Sequence, residues 1–297
     1  MLDESVRVTQ ELKLDSQIPF DEYPADGPRL HFAHANGYPP AAYRPLIDCL
    51  NQDYHIYAMH QRPLWPGTDP DALQNWEPLA DDLSRFLDEH DLHAVIGIGH
   101  SVGGNATLRL ALRQPHRFSA VILIDPVIFP PKFIPFWKLI YASGQAYRLH
   151  PLASATLRRR RVFPDRESMY ANYRQKGVFQ RIDDAGLWAY VHAITRDRPD
   201  GQVELVYPPE WEARIYVTGI LSDQSLWQAL PGLIPPLFVM RGEQTDTFRE
   251  SALHLIQKKL PTAAVVNLPQ AGHLVPLEKP GEVCRLIGQF LSDHHLL

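Results

Sequence analysis

Only two cysteines, Cys49 and Cys284, occur in the 297 residues, far apart and in no C-X-X-C pattern. That scarcity excludes a cysteine-based redox or zinc motif, and it predicts two buried thiols in a reducing, cytoplasmic compartment. Uncharged apolar runs of about 18 residues are also missing, so no membrane span is expected. The opening residues, Met1-Leu-Asp-Glu-Ser-Val, are acidic and lack the apolar core of a secretory signal. Positive charge is not in excess: 29 Lys and Arg stand against 34 Asp and Glu, which argues against nucleic acid as a partner. Internal repeats and low-complexity tracts are absent too. What remains is an ordinary globular composition, 45% hydrophobic and 21% charged, in a chain long enough to bury a large core. Proline, at 27 residues, is abundant and points to many ordered loops.

Short apolar runs recur along the chain, separated by helical patterns. After an edge-like run (Val6, Val8, Leu12, Leu14), strands are expected at Leu30–Ala33, Tyr54–Met59, Ala94–Ile98, Ala120–Ile124, Leu237–Met240 and Ala263–Leu268. Helices are expected at Ala41–Leu50, Trp76–His90 with Asn75 as its cap, Phe248–Leu260 and Pro280–Leu291. Strands alternating with helices predict an α/β fold, a mostly parallel sheet covered on both faces. Ligands of such sheets lie beyond the carboxyl ends of the strands. From Val127 to about Leu221 the rhythm stops. That stretch is helix-like and proline-interrupted, and it holds 15 of the 30 Phe, Trp and Tyr residues, with 14 Lys and Arg against 9 Asp and Glu. The shift marks an inserted cap at 127–221 within a core domain formed by 1–126 and 222–297.

One stretch organises the chemistry. Gly99-His100-Ser101-Val102-Gly103 is a G-x-S-x-G string between the apolar run Ala94–Ile98 and a helical pattern with Val102, Ala106, Leu108 and Leu112 on one face. A serine hydroxyl is a poor nucleophile unless it is held clear of the backbone and beside a base. A sharp strand-to-helix turn does both: glycines make room, and the Val102 N–H and the helix N-terminus face a developing oxyanion. The bland alternative is a glycine-rich turn with an incidental serine; the strand before it and the helix after it favour catalysis. The base is expected at His273, on a loop after the last strand, and the orienting acid at Asp246, on the loop after the preceding one.

The order Ser101, Asp246, His273 resembles that of the α/β-hydrolase superfamily. The resemblance runs from about Leu30 to Leu291. Asn36-Gly-Tyr-Pro39, Gly99-His-Ser-Val-Gly103, Leu123-Ile-Asp-Pro126, Arg241-Gly-Glu-Gln-Thr-Asp246, Ala271-Gly-His273 and Glu278-Lys-Pro280 carry it. It implies an α/β-hydrolase fold with a mainly helical cap, a Ser101–Asp246–His273 triad, and an oxyanion hole from the Val102 and Tyr38 N–H groups. One departure stands out: Asn36-Gly37 replaces the usual His-Gly ahead of the oxyanion residue. Glu243 shares the Asp246 loop, and Asp125 ends a neighbouring strand where some members of the fold place the acid. Asp125-Pro126 reads equally as a turn that satisfies local backbone. His34 is expected to be structural.

A cofactor-free serine hydrolase acting on an ester-like bond of a small, largely apolar molecule follows from these readings. Candidate substrate-contacting residues are Asn36, His100, Phe136, Trp137 and Trp188, with His100 expected to pack beneath the elbow. Neither a metal nor a cofactor is called for, and a homodimer is left open. Carbon–carbon bond hydrolase, lactonase, thioesterase and perhydrolase share the same triad. A ligand receptor with a silent triad is a different class. The Arg158–Arg161 run is expected to be a solvated helix face, with an anion site as the alternative. The basic cap would suit a carboxylate-bearing substrate.

Overall fold

In the computed structural model, which describes residues 18–296, seven strands form one sheet in the order β1-β3-β2-β4-β5-β9-β10. These are β1 (Phe20–Tyr23), β2 (Arg29–Ala33), β3 (His55–Met59), β4 (Val95–His100), β5 (Phe118–Ile124), β9 (Leu237–Gly242) and β10 (Ala264–Leu268). Only β1 runs antiparallel, on β3; every other pair is parallel. The edge-like run from Val6 to Leu14 lies outside the described residues. No described helix is long and apolar enough to cross a membrane.

Period-two alternation sorts the strands between two cores. Ala120, Ile122 and Ile124 of β5 pack with α1 (Arg44–Leu50) and α13 (Pro280–Asp293). Val121 and Leu123 face the other way, onto α2 (Glu77–Glu89), α3 (Val102–Arg113) and α11 (Glu250–Lys259). Asn75 sits at the start of α2, its Oδ1 accepting from the Glu77 N–H at 2.8 Å. The chain steps from β2 outward to β3, then returns to the opposite side of β2 for β4 and runs on to β5. The strand order therefore reverses between β2 and β4. Loops leaving neighbouring strands at that point diverge and open a crevice.

The segment between β5 and β9 holds α4 (Ile134–Ala142), α5 (Ala146–Leu149), α6 (Pro151–Leu157), α7 (Arg166–Arg174), α8 (Asp184–Ala193), α9 (Pro209–Thr218) and α10 (Asp223–Ala229). It is not helical throughout. A three-stranded antiparallel sheet joins β6 (Val162–Phe163), β8 (Val203–Leu205) and β7 (Thr195–Asp197). Strands of two or three residues carry too few alternating positions to register as a period in the sequence. Phe163, Tyr173, Leu187 and Tyr190 merge with the sheet's first core, while α9 packs Trp211 and Ile215 on Trp76 and Val102.

The expectation of two buried thiols is corrected. Cys49 of α1 and Cys284 of α13 are joined in a disulfide, and both are only partly buried. The two helices pack side by side on one sheet face, so residues distant in the chain become neighbours. The inference of a reducing compartment loses its support with the thiols.

Candidate active site

Ser101 adopts φ 57° and ψ −121°, a left-handed conformation that a side chain tolerates only when the surroundings enforce it. Its N–H donates to the Ile124 carbonyl at 3.1 Å, and its own carbonyl accepts from Val127 N–H at 3.1 Å. The flanking glycines are required by contact. A Cβ on Gly99 would lie 2.6 Å from the Gly103 carbonyl carbon, and one on Gly103 would lie 2.2 Å from the Ala33 oxygen. The elbow thus exists because β2, β4 and α3 meet with no room to spare.

His273 stands opposite the elbow, its Nε2 3.0 Å from Ser101 Oγ. Its Nδ1 lies 2.6 Å from Asp125 Oδ2, and Asp125 is fully buried. The acid beside the histidine is therefore Asp125, at the end of β5, and not Asp246. Asp246 is exposed, forms no ion pair with His273 among the described residues, and accepts only from Thr247 Oγ1, at 3.0 Å. The local backbone explains the exchange. Asp125 has φ 40° and is pinned by its N–H on the Met240 carbonyl at 2.7 Å. Its carboxylate also accepts from the Gly242 N–H (3.0 Å) and from Thr245 Oγ1 (2.6 Å). The last residue of β9 and the loop after it supply donors to the acid in place of the acid itself. Thr245 escaped the sequence reading because nothing distinguishes it from the loop polar residues around it.

Behind these groups runs a relay of neutral partners. The Ala35 N–H donates to Tyr43 OH (3.0 Å), which lies 2.8 Å from His100 Nδ1, and His100 Nε2 lies 2.9 Å from the His273 carbonyl. Burial, then the neighbouring His273, push the His100 pKa well below its ordinary value. His100 is thus a neutral imidazole that accepts from Tyr43 and donates to the His273 carbonyl, tying the loop after β2 to His273. His34 is also neutral, lowered to about 3 by burial, with Nδ1 on the Ala35 carbonyl and Nε2 accepting from Gln61 N–H.

Val102 is the first residue of α3, where an N–H has no acceptor inside its helix. Tyr38 N–H is less free than the sequence implied, because it donates to the Ala35 carbonyl at 3.2 Å across a turn that needs φ +79° at Gly37. Asn36 holds that turn against the insertion. Its Nδ2 donates to the Glu212 carbonyl (3.0 Å), and its Oδ1 accepts from Tyr207 OH (2.9 Å).

A cavity of about 350 Å³ opens over Ser101 and His273, lined mainly by apolar side chains such as Trp76, Val127, Phe129 and Ile215. Asn36, Tyr38 and Asp246 also line it. The other candidate contacts lie elsewhere. His100 is fully buried beneath the elbow, and Phe136 and Trp137 line an adjoining groove with Phe133 and Ile220. Trp188 stacks on Tyr170 with ring centroids 4.5 Å apart. Aromatic density could not say which rings face the serine.

Residues 32–286 match the profile of the alpha/beta hydrolase family. Esterase YbfF of Escherichia coli (strain K12) is 22% identical over 82% of this chain and 85% of its own length. Among solved structures, E-2-(acetamidomethylene)succinate hydrolase superposes with a TM-score of 0.74 at 20% identity, covering 92% of this chain and 94% of the other. The thioesterase domain from the curacin biosynthetic pathway gives 0.73 at 14% identity, over 91% and 94%.

Proposed function

From a chain that belongs to the alpha/beta hydrolase family, as an enzyme of the carboxylic ester hydrolase kind, we propose a cofactor-independent serine esterase that works through an acyl-enzyme. The observation that carries the reading is the continuous line Ser101 Oγ–His273 Nε2–Asp125 Oδ2, at 3.0 and 2.6 Å beside an apolar cavity.

The steps follow from that line. His273 Nε2 takes the Ser101 proton as Oγ bonds to the acyl carbon, and the carbonyl π-electrons move onto oxygen. Val102 N–H receives that oxyanion, joined by Tyr38 N–H as it shares or leaves its 3.2 Å bond to Ala35. Asp125 holds the imidazole in the tautomer that presents Nε2 as acceptor, and stabilises the imidazolium. The tetrahedral intermediate collapses, the alcohol oxygen leaves with the His273 proton, and the acyl group stays on Ser101. Water, deprotonated by His273, repeats the sequence and releases the acid. The apolar lining supports a small, mostly apolar acyl or alcohol group, and segment 127–221 serves as its lid. Lactones and thioesters would pass through the same steps.

Intact mass after treatment with a fluorophosphonate tests this. One adduct is expected on the wild type and none on Ser101→Ala, with loss of p-nitrophenyl ester turnover on the order of 10⁶-fold. A wild type that neither labels nor hydrolyses any ester of a graded chain-length panel would overturn the esterase reading in favour of ligand binding.

A further inference from the structure

The cavity at Ser101 has a neighbour. Tyr38, Leu152, Val178 and Tyr216 line it and also line a second cavity of about 440 Å³ within the insertion. The first is walled mostly by hydrocarbon. The second carries Arg159, Arg160, Lys176, Tyr173 and Glu212.

Donors and acceptors do not balance there. Among the described residues Glu212 is the only carboxylate in the wall, and both its oxygens are taken. Oε1 accepts from Thr156 Oγ1 (3.3 Å) and Tyr216 OH (3.4 Å), and Oε2 accepts from Arg159 Nη2 (2.5 Å). Tyr173 is only 1% exposed, yet its hydroxyl has no hydrogen-bond partner among the described residues. Arg159 Nε is buried and equally without one. Lys176 Nζ stands 3.6 Å from the centroid of the Tyr173 ring, with no carboxylate as ion-pair partner among the described residues. The residue as a whole is exposed, but partial burial of its ammonium and then the charge of Arg159 draw its pKa down to about 8. A buried donor left without an acceptor is costly, so a wall that gathers two of them beside an unpaired ammonium is short of one negative group.

We propose that this second cavity is a subsite for a free carboxylate at the far end of the substrate, so that the preferred esters are monoesters of dicarboxylic acids. The proposal rests on the esterase reading and names its substrate class. A carboxylate placed there lies beside the Lys176 ammonium, and a small outward shift of the Tyr173 and Arg159 side chains lets it accept from Tyr173 O–H and Arg159 Nε–H, which are covered in the empty wall. One negative charge suits the wall better than a phosphate dianion, because Glu212 in the same wall repels the second charge. Tyr38 links the two halves: its backbone serves the oxyanion, and its side chain lines both cavities.

The test uses Ser101→Ala, which binds without turnover. Calorimetric titrations compare monomethyl esters of straight-chain dicarboxylic acids, from succinate to sebacate, with the matching dimethyl esters. At one chain length the monomethyl ester is expected to bind about tenfold or more tightly than its dimethyl partner. Adding Tyr173→Phe or Lys176→Met to Ser101→Ala should bring that ratio towards one. Tyr173→Phe removes an oxygen that has no hydrogen-bond partner among the described residues, so its thermal midpoint should hold or rise. Equal binding of both series at every length overturns the subsite, as does a preference that survives both substitutions. Displacement of the monoester by inorganic phosphate more strongly than by acetate overturns the carboxylate assignment. Wild-type hydrolysis of the dimethyl esters reports the Ser101 reading separately, since that series has no charge to recognise.

Discussion

The sheet edge and the insertion meet over Ser101, but they are built by opposite means. Every residue of β4 is buried, as are all of β5 except its second residue; Ser101 and Asp125 are held largely by backbone groups, and His273 is tied to them and to His100. In the insertion, side chains carry the polar connections: Arg159 to Glu212, Arg161 to Glu210, Arg166 to Asp197, Arg174 to Asp184. Large apolar side chains such as Phe136 and Leu139 are left exposed there. Backbone-held geometry admits little substitution and suits chemistry that needs atoms placed to fractions of an ångström. Side-chain-held geometry can be rewritten residue by residue, which suits choice of substrate. Under the proposed esterase function, the first region sets rate and the second sets preference.

The largest effect should come from the acid, where the two loops can be set against each other. Asp125→Asn is expected to cut kcat by about 10⁴-fold, because an amide favours the wrong histidine tautomer. Asp246→Asn should remain orders of magnitude more active than Asp125→Asn. Its carboxylate lines the cavity and can only shade the affinity for charged substrates. Steady-state kinetics on one neutral ester decide between them. If Asp246→Asn proves the crippled variant, the histidine must swing from Asp125 to Asp246 during turnover, and the rigid sheet edge described above is wrong.

How far the sequence revealed this arrangement follows the same division. Strands β2, β4 and β5 announce themselves as apolar runs because both faces are buried. Ser101 sits in a turn whose glycines record close backbone approach, and His273 follows the Ala271-Gly272 turn after the last strand. Asp125 and Asp246 could not be separated, because both follow parallel strands onto the same edge. What decides between them is the Gly242 N–H and the Thr245 hydroxyl, contacts over more than a hundred residues of chain. The Cys49–Cys284 bridge was invisible for a similar reason: no local pattern tells that α1 and α13 are neighbours. The orphaned Tyr173 hydroxyl leaves no mark in the sequence at all, since a buried tyrosine with a partner and one without are spelled alike.

A smaller, measurable effect lies under the elbow helix. Arg109 of α3 is 2% exposed and donates to Asp223 Oδ1 of α10 at 2.7 Å, where Asp223 is fully buried. Asp223 also accepts from Asn105 Nδ2 (3.1 Å) and the Phe129 N–H (2.9 Å), which joins the start of the insertion to the body. Arg109→Met should cost about 3–5 kcal/mol in denaturant unfolding, because it strands a buried carboxylate. Burial, opposed by Arg109, already raises the Asp223 pKa. Its folded form therefore holds a proton at pH values where the unfolded form has lost it, and the stability linked to this group falls as pH rises above the ordinary value of 3.8. The penalty of Arg109→Met should shrink on acidification toward that value. A penalty independent of pH would show that lost packing, and not the stranded charge, is responsible.

The smallest effect is expected at the insertion's surface, at the pair Arg161–Glu210. The side chains are 52% and 47% exposed, so water competes for both and salt screens their attraction. Arg161→Ala should change unfolding free energy by less than about 1 kcal/mol, and added salt should erase what change there is. What holds the insertion in this view is its shared apolar core: Tyr173 stacks on Phe179 with centroids 5.2 Å apart, and Tyr190 packs on Tyr38 at 4.8 Å. Denaturant titrations of wild type and variant at low and high salt measure the difference. A loss of several kcal/mol for Arg161→Ala would mean that charge staples the insertion to itself. Its arginines would then be structural, and the freedom to vary them for substrate choice, on which the comparison of the two regions depends, would be gone.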